Sequence, residues 1–218
     1  RFPEETYLRN VRQLTFGGNN AEAYWSPDGE SLVFQSDWEA INDRGCDQQF
    51  VMSVAAGAGQ DGTGATLVST GQGRTTCGYY LADGRVIYGS THEGDAACPT
   101  TAASQTGQYV WDIFPTYDIY VAEPDGSNPE RFIGGEGYDT EATVSPDGRY
   151  VIFTSTRSGD LELWRYEVET GELLQLTDTL GYDGGAFFSP DGSQIVWRAS
   201  RPTGEDADAY RELLANDA

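Results

Sequence analysis

The chain has 218 residues, with 35 acidic against 13 basic side chains and a formal net charge of −22; every basic residue is an Arg. A surface this acidic repels phosphate backbones, which disfavours nucleic-acid binding, and no apolar run approaches the roughly 20 residues that a membrane helix needs. With 27 Gly, 13 Tyr, 5 Trp and a single Met, the composition favours strands joined by turns over packed helices. The acidity itself reads either as adaptation to a saline habitat or as a docking face for a basic partner. The opening RFPEET carries no apolar signal core and reads as a mature N-terminus or as the cut edge of a longer chain rather than as a targeting segment.

From the N-terminus, VRQLTFGG (11–18) predicts a leading outer strand. NNAEAYWSPDGESLVFQS, from Asn19, follows as strand, tight turn and strand, then QQFVMSV and ATLVST as third and fourth strands. The same order returns from Arg74 (RTTCGYYLADGRVIYGS, then YDIYVAE and ERFIG) and from Tyr138 (YDTEATVSPDGRYVIFTS, then LELWRYE and LLQLTD). It begins once more from Tyr182 with YDGGAFFSPDGSQIVWRAS. Pro suits the second position of a type I turn, and the closing Gly takes the positive φ that completes the hairpin. The bare repeat, Gly148 to Gly192, is 44 residues. Four antiparallel strands at that period predict β-propeller blades. The column Ala23, Gly78, Ala142 and Ala186 supplies small side chains where inner strands crowd the axis. The expected division is an outer strand over 1–18, blades over 19–71, 72–135 and 136–180, a hairpin over 181–200, and a loop with a short helix over 201–218. Tyr210, Leu213 and Leu214 fall on one side of that helix.

The SPDG-centred repeat, with GYD before the inner strand and DGSN between outer strands, resembles the TolB-type, WD40-like β-propeller repeat family across residues 10 to 200. The resemblance implies an all-β disc of six blades, of which this chain carries three and the first hairpin of a fourth; the natural protein is expected to continue past Ala218. It further implies a periplasmic or extracellular scaffold that bridges envelope proteins, as a subunit of a membrane-associated assembly. The same repeats form the propellers attached to prolyl-oligopeptidase-type peptidases, so a propeller gating a hydrolase is the alternative, and a carbohydrate-active propeller a third reading.

Gly29 to Gly84 spans 55 residues and Gly84 to Gly148 spans 64. The excess lies mostly between second and third strands, at 36–47 and 91–116, and recurs at 198–218. These loops elaborate one face, the expected partner-binding face. Trp38, His92, Trp111, Tyr138 and Tyr182 are its candidate contact residues, because exposed aromatics contribute most at interfaces. Among Cys46, Cys77 and Cys98 the expected disulfide is Cys46 to Cys98; a zinc site made from all three and His92 is the rival reading, without a C-x-x-C pair to support it. Glu22 and Glu141, with Asp139 and Asp183, are candidate Ca2+ ligands at the channel mouth, against the reading that they bind backbone between blades. No cofactor is otherwise implied. His92 is the single histidine and no G-x-S-x-G elbow occurs, so the chain is expected not to be an enzyme.

Overall fold

The computed structural model describes residues 4, 6–100 and 111–216. Three four-stranded antiparallel sheets follow one another, each in simple meander order. The first comprises β1 (Asn20–Trp25), β2 (Ser31–Ser36), β3 (Gln48–Ser53) and β4 (Ala65–Leu67). The second is β5 (Thr75–Tyr80), β6 (Val86–Ser90), β7 (Asp118–Ala122) and β8 (Glu130–Ile133). The third is β9 (Asp139–Val144), β10 (Tyr150–Ser155), β11 (Glu162–Glu167) and β12 (Leu173–Gln175). A two-stranded sheet, β13 (Asp183–Phe188) with β14 (Ile195–Ala199), and a helix, α1 (Glu205–Leu214), complete the described chain. Inner strands pack in sequence order, β1 on β5, β5 on β9 and β9 on β13. This is an all-β propeller arc of three full blades and a hairpin.

The tight turns repeat down to their side chains. Ser26 Oγ donates to Asp28 Oδ1 at 2.6 Å and accepts from the Ser31 amide, while Asp28 accepts from the Glu30 amide. Ser145 with Asp147 and Ser189 with Asp191 reproduce this cage at the same 2.6 Å. Asp83 keeps the amide bond to Arg85, but Leu81 brings no hydroxyl to the worn copy. The Ser and Asp side chains thus satisfy turn amides that would otherwise need water.

Every inner strand carries a bulge at one repeat position. Glu22, Cys77, Glu141 and Gly185 all have positive φ, from 51° to 60°, and the register with the second strand slips there in each blade. Three of the four are not glycine, so each of these holds a left-handed conformation that costs of order 1–3 kcal/mol. A bulge bends its strand and re-aims the side chains beside it.

Between blades the core is aliphatic and aromatic. Ile87, Ile119 and Val121 of the second sheet meet Ala142, Val151 and Phe153 of the third. Val33 and Val68 meet Tyr88 and Tyr120, and Ile152 and Leu163 meet Ala186, Phe188 and Ile195. Ala142 and Ala186 are buried as the small-residue column requires, whereas Ala23 is exposed because no described blade packs beyond β1. The leading segment departs from expectation. Residues 11–16 form no strand; they lie against the first blade, with Arg12 donating to the carbonyls of Val54 and Ala55 and Leu14 packed on the core around Phe34. At the other end β14 is an open edge, with Val196 67% exposed.

Candidate functional site at the channel mouth

The inner strands converge on a cavity of about 560 Å3. Its base is built from one repeat position, two residues before the turn's first residue. Tyr24, Tyr79 and Phe187 cluster there, with ring centroids 5.1 Å (Tyr24–Tyr79), 5.7 Å (Tyr24–Phe187) and 6.1 Å (Tyr79–Phe187) apart. The third blade supplies Thr143 instead, whose hydroxyl donates to the Ala186 carbonyl at 2.5 Å. Above the base sit the bulge residues Glu22, Cys77 and Glu141. The rim comes from the face of the inserted loops: Trp111 before β7, Tyr182 before β13, and Tyr210 and Leu213 of α1.

Each carboxylate at this level already has donors. Glu141 accepts from the Tyr182 phenol at 2.9 Å, the Thr154 hydroxyl at 2.6 Å and the Gly185 amide at 2.8 Å. Glu22 accepts from Tyr24 at 3.0 Å. Burial and the neighbouring Glu141 hold the Tyr182 phenol well above its ordinary range, and burial with Glu22 does the same for Tyr24. Cys77, the free cysteine, has its thiol pushed well up by burial and by Glu141 and Glu22. A thiol held protonated is a poor nucleophile.

Three of the five candidate contact aromatics come together here. Trp111 is 42% exposed and its indole N–H donates to the Tyr138 hydroxyl at 3.1 Å, and Tyr182 is half-buried across the cavity. Tyr138 itself is only 2% exposed, packed edge-on against Tyr117, so it supports Trp111 rather than offering a surface. Trp38 is a correction. It is 7% exposed, filling the first blade's loop-side core with Phe34 and Phe50, and the backbone at Gly17 and Gly18 lies so close that a Cβ on Gly17 would sit within the indole ring. The His92 ring lies 4.2 Å from that of Tyr120, tilted by 51°, outside the cavity.

The four proposed Ca2+ ligands split into two layers, a second correction. Glu22 and Glu141 line the cavity, but Asp139 and Asp183 are fully buried, each against an arginine: Arg157 donates to both Asp139 oxygens at 2.8 Å, and Arg201 donates to Asp183 at 2.9 Å. Among the described residues no group of three or more His, Cys, Asp or Glu side chains is placed to hold a metal. Nor do the thiols gather for zinc: Cys46 and Cys98 form a disulfide, with Cα atoms 5.7 Å apart, that joins the inserted loops of the first two blades. The middle of the second inserted loop, 101–110, lies outside the described residues, as do 217 and 218 of the last one. No described helix is long and apolar enough to cross a membrane.

A Ser–His contact does occur, with Ser90 Oγ 2.9 Å from His92 Nδ1. Ser90 is fully buried at the end of β6, where no substrate carbonyl can reach it. Burial also lowers the His92 pKa, against the opposing pull of Glu93 and Asp118. The column of Tyr24, Tyr79 and Phe187 escaped the sequence reading, although its signal was an aromatic two residues before three of the four turns.

No protein-family model matches the chain. Over 55 residues it is 40% identical to the Tol-Pal system protein TolB of Bordetella pertussis, a stretch covering 25% of this chain and 13% of that one. Over 63 residues it is 35% identical to an uncharacterized protein of Agrobacterium fabrum, 29% of this chain and 22% of that one. Among solved structures, TolB from Acinetobacter baumannii superposes with a TM-score of 0.61 at 20% identity, over 86% of this chain and 39% of the other. A TolB candidate from Agrobacterium tumefaciens gives 0.58 at 21%, over 83% and 54%. A puromycin-hydrolyzing peptidase of Mycobacterium tuberculosis also reaches 0.58, at 15% identity, over 86% of this chain and 27% of that one. The chain therefore spans well under two thirds of these relatives, and the structural likeness concerns the fold. Repeat, sheet order and superposition agree on the fold: the chain is an arc of β-propeller blades similar to those of TolB-type propellers.

Proposed function

We propose that the chain is a non-catalytic protein-binding scaffold of the cell envelope, periplasmic or extracellular, that takes a segment of a protein partner at its channel mouth. The observation that carries this reading is the aromatic-walled cavity on the face elaborated by inserted loops, with Trp111 half open to solvent on the rim it shares with Tyr182. Concave sites of this size, mostly apolar with a few fixed polar groups, are where ligands and peptide anchors seat, and half-exposed Trp and Tyr make the larger energetic contributions at interfaces. The Cys46–Cys98 disulfide suits an oxidising compartment. A protonated Cys77 and an inaccessible Ser90 favour binding over nucleophilic chemistry. The TolB relative's place in a Tol-Pal system supports an envelope partner, and a membrane-associated assembly is the setting proposed for it.

The test is quantitative recovery of envelope proteins on immobilised wild-type chain and on Trp111→Ala. One discrete partner, bound by wild type and reduced about tenfold or more by the substitution, is the expected result for a lost interface anchor. Equal recovery by both would refute the site. Hydrolysis of a peptide or glycan by the purified chain would refute the non-catalytic reading.

A further inference from the structure

The repeat gives each blade junction the same pair of positions: the first residue of a third strand and the first residue of the next inner strand. Between the first two blades the pair is Gln48 and Thr75, both uncharged; Gln48 donates to the Gly73 carbonyl and accepts from Ser69. Between the second and third it is Asp118 and Asp139, and here two carboxylates meet two arginines. Arg157 binds Asp139, while Arg131, reaching in from β8, donates to Asp118 Oδ2 at 3.2 Å and the Gly135 amide donates to Oδ1 at 3.1 Å. Between the third and fourth the pair is Glu162 and Asp183. Arg201 binds Asp183, but among the described residues no second arginine binds Glu162. Sheet register shows why. Arg131 lies opposite Tyr120, two residues beyond Asp118, and the residue opposite Trp164, two beyond Glu162, is Gln175. Gln175 turns away and donates to the Thr177 carbonyl.

Glu162 is left 2% exposed, with Oε2 buried and, among the described residues, without a hydrogen-bond partner. Asp183 Oδ2 is likewise without a partner. A buried carboxylate oxygen without a donor is costly. Glu162 lines a surface cavity of about 700 Å3, together with Ser158, Asp160, Gln175, Asp178 and Arg211. Arg211 is engaged with Asp208 on its own helix, at 3.1 Å. Burial raises the Glu162 pKa, a hydrogen bond from the Thr177 hydroxyl and the charge of Arg201 oppose it, and Asp183 and Asp160 add to the rise by repulsion.

We propose that this cavity is a binding site for the guanidinium group of an arginine on an incoming ligand, which takes at Glu162 the place that Arg131 occupies at Asp118. A guanidinium matches a buried carboxylate with directed paired donors, and the absence of a three-acid cluster among the described residues argues against a divalent metal as the occupant. The site is separate from the channel mouth, and its test needs no knowledge of the channel-mouth partner.

The probe is the capped tripeptide acetyl-Gly-Arg-Gly-amide, with its neutral citrulline counterpart, titrated by NMR in about 0.15 M salt, where long-range attraction to the acidic surface is screened beyond about 8 Å. The arginine peptide is expected to bind about tenfold or more tightly than the citrulline peptide, the ratio for one charge-assisted pair. Glu162→Gln is expected to abolish that preference, and Asp43→Asn, at an exposed site, to leave it intact. Gln175→Arg installs the arginine of the preceding blade and is expected to block the probe in a chain that stays folded. Equal binding of the two peptides, or unchanged binding in Glu162→Gln or Gln175→Arg, would overturn the proposal. Binding that tightens tenfold or so in Arg211→Ala would show that the chain's own arginine fills the pocket, and would overturn an external ligand.

Discussion

Tyr182 reaches across the junction of the third and fourth blades and donates its phenolic hydrogen bond to Glu141, 2.9 Å from both carboxylate oxygens. The same carboxylate accepts the Gly185 amide and the Thr154 hydroxyl. One side chain at a left-handed bulge therefore ties two inner strands together and shapes the cavity wall. Hydrogen bonds to charged groups contribute about 1.5–3 kcal/mol when part-buried. Tyr182→Phe is expected to lower stability by about 2 kcal/mol on that basis, read as a shift in the urea midpoint at constant slope. An unmoved midpoint would show that Glu141 holds the junction without Tyr182.

Trp38 serves the fold. Its ring packs on Phe34 and Phe50 under the close backbone of Gly17 and Gly18. Truncation to Ala is expected to cost about 3–5 kcal/mol, the range for a buried Trp, while partner recovery by the folded fraction stays at the wild-type level. Denaturant unfolding checks the first half and the recovery assay the second. A loss of less than about 1 kcal/mol, typical of a surface site, would contradict the burial.

Much of this was legible in the sequence, for reasons that particular residues make plain. The Ser-Pro-Asp-Gly turns and the alternation in segments such as LVF and VIF are local chemistry, and local chemistry marks four hairpins and their period. The short helix around Tyr210 also follows from local pattern. What stayed hidden depends on tertiary fit. Nothing near Trp38 announces that two glycines from the preceding segment will close over it. Glu22 and Glu141 drew attention as candidate ligands, yet the property they share with Cys77 and Gly185 at the same repeat position is positive φ; the glycine in the fourth hairpin was the clue. Asp139 and Asp183 looked available for a cation because their arginines, Arg157 and Arg201, stand 18 residues on, across a hairpin.

The turn cages make a pH prediction. Asp191 is held at about 2, below its ordinary 3.8, first by the Ser189 hydroxyl and then by the Ser193 amide and hydroxyl. A depressed carboxylate contributes stability above the ordinary carboxylate range and loses it as pH falls toward about 2. Asp28 and Asp147 are lowered in the same way by Ser26 and Ser145. NMR titration of Ser189→Ala should show the Asp191 carboxyl moving up toward the ordinary value and a shallower loss of stability in acid. No upward movement would remove the hydroxyl as the main cause.

The Cys46–Cys98 disulfide closes a loop with a sequence separation of 52 residues and joins two blades at the elaborated face. Loop closure on this scale is worth about 2–4 kcal/mol through the unfolded chain. Cys98→Ser is expected to lower the unfolding temperature, and reductant to lower wild type to the same value without touching Cys98→Ser. A wild-type chain indifferent to reductant would contradict a structural role for the bond.

The most direct test of the account is site-specific photo-crosslinking in cells of the source organism. A benzophenone amino acid at position 111, on the cavity rim, is compared with one at position 174, an exposed leucine on the outer strand β12. One discrete protein adduct is expected at position 111, and none at position 174. No adduct at position 111, or the same adduct at both positions, would contradict a channel-mouth docking site.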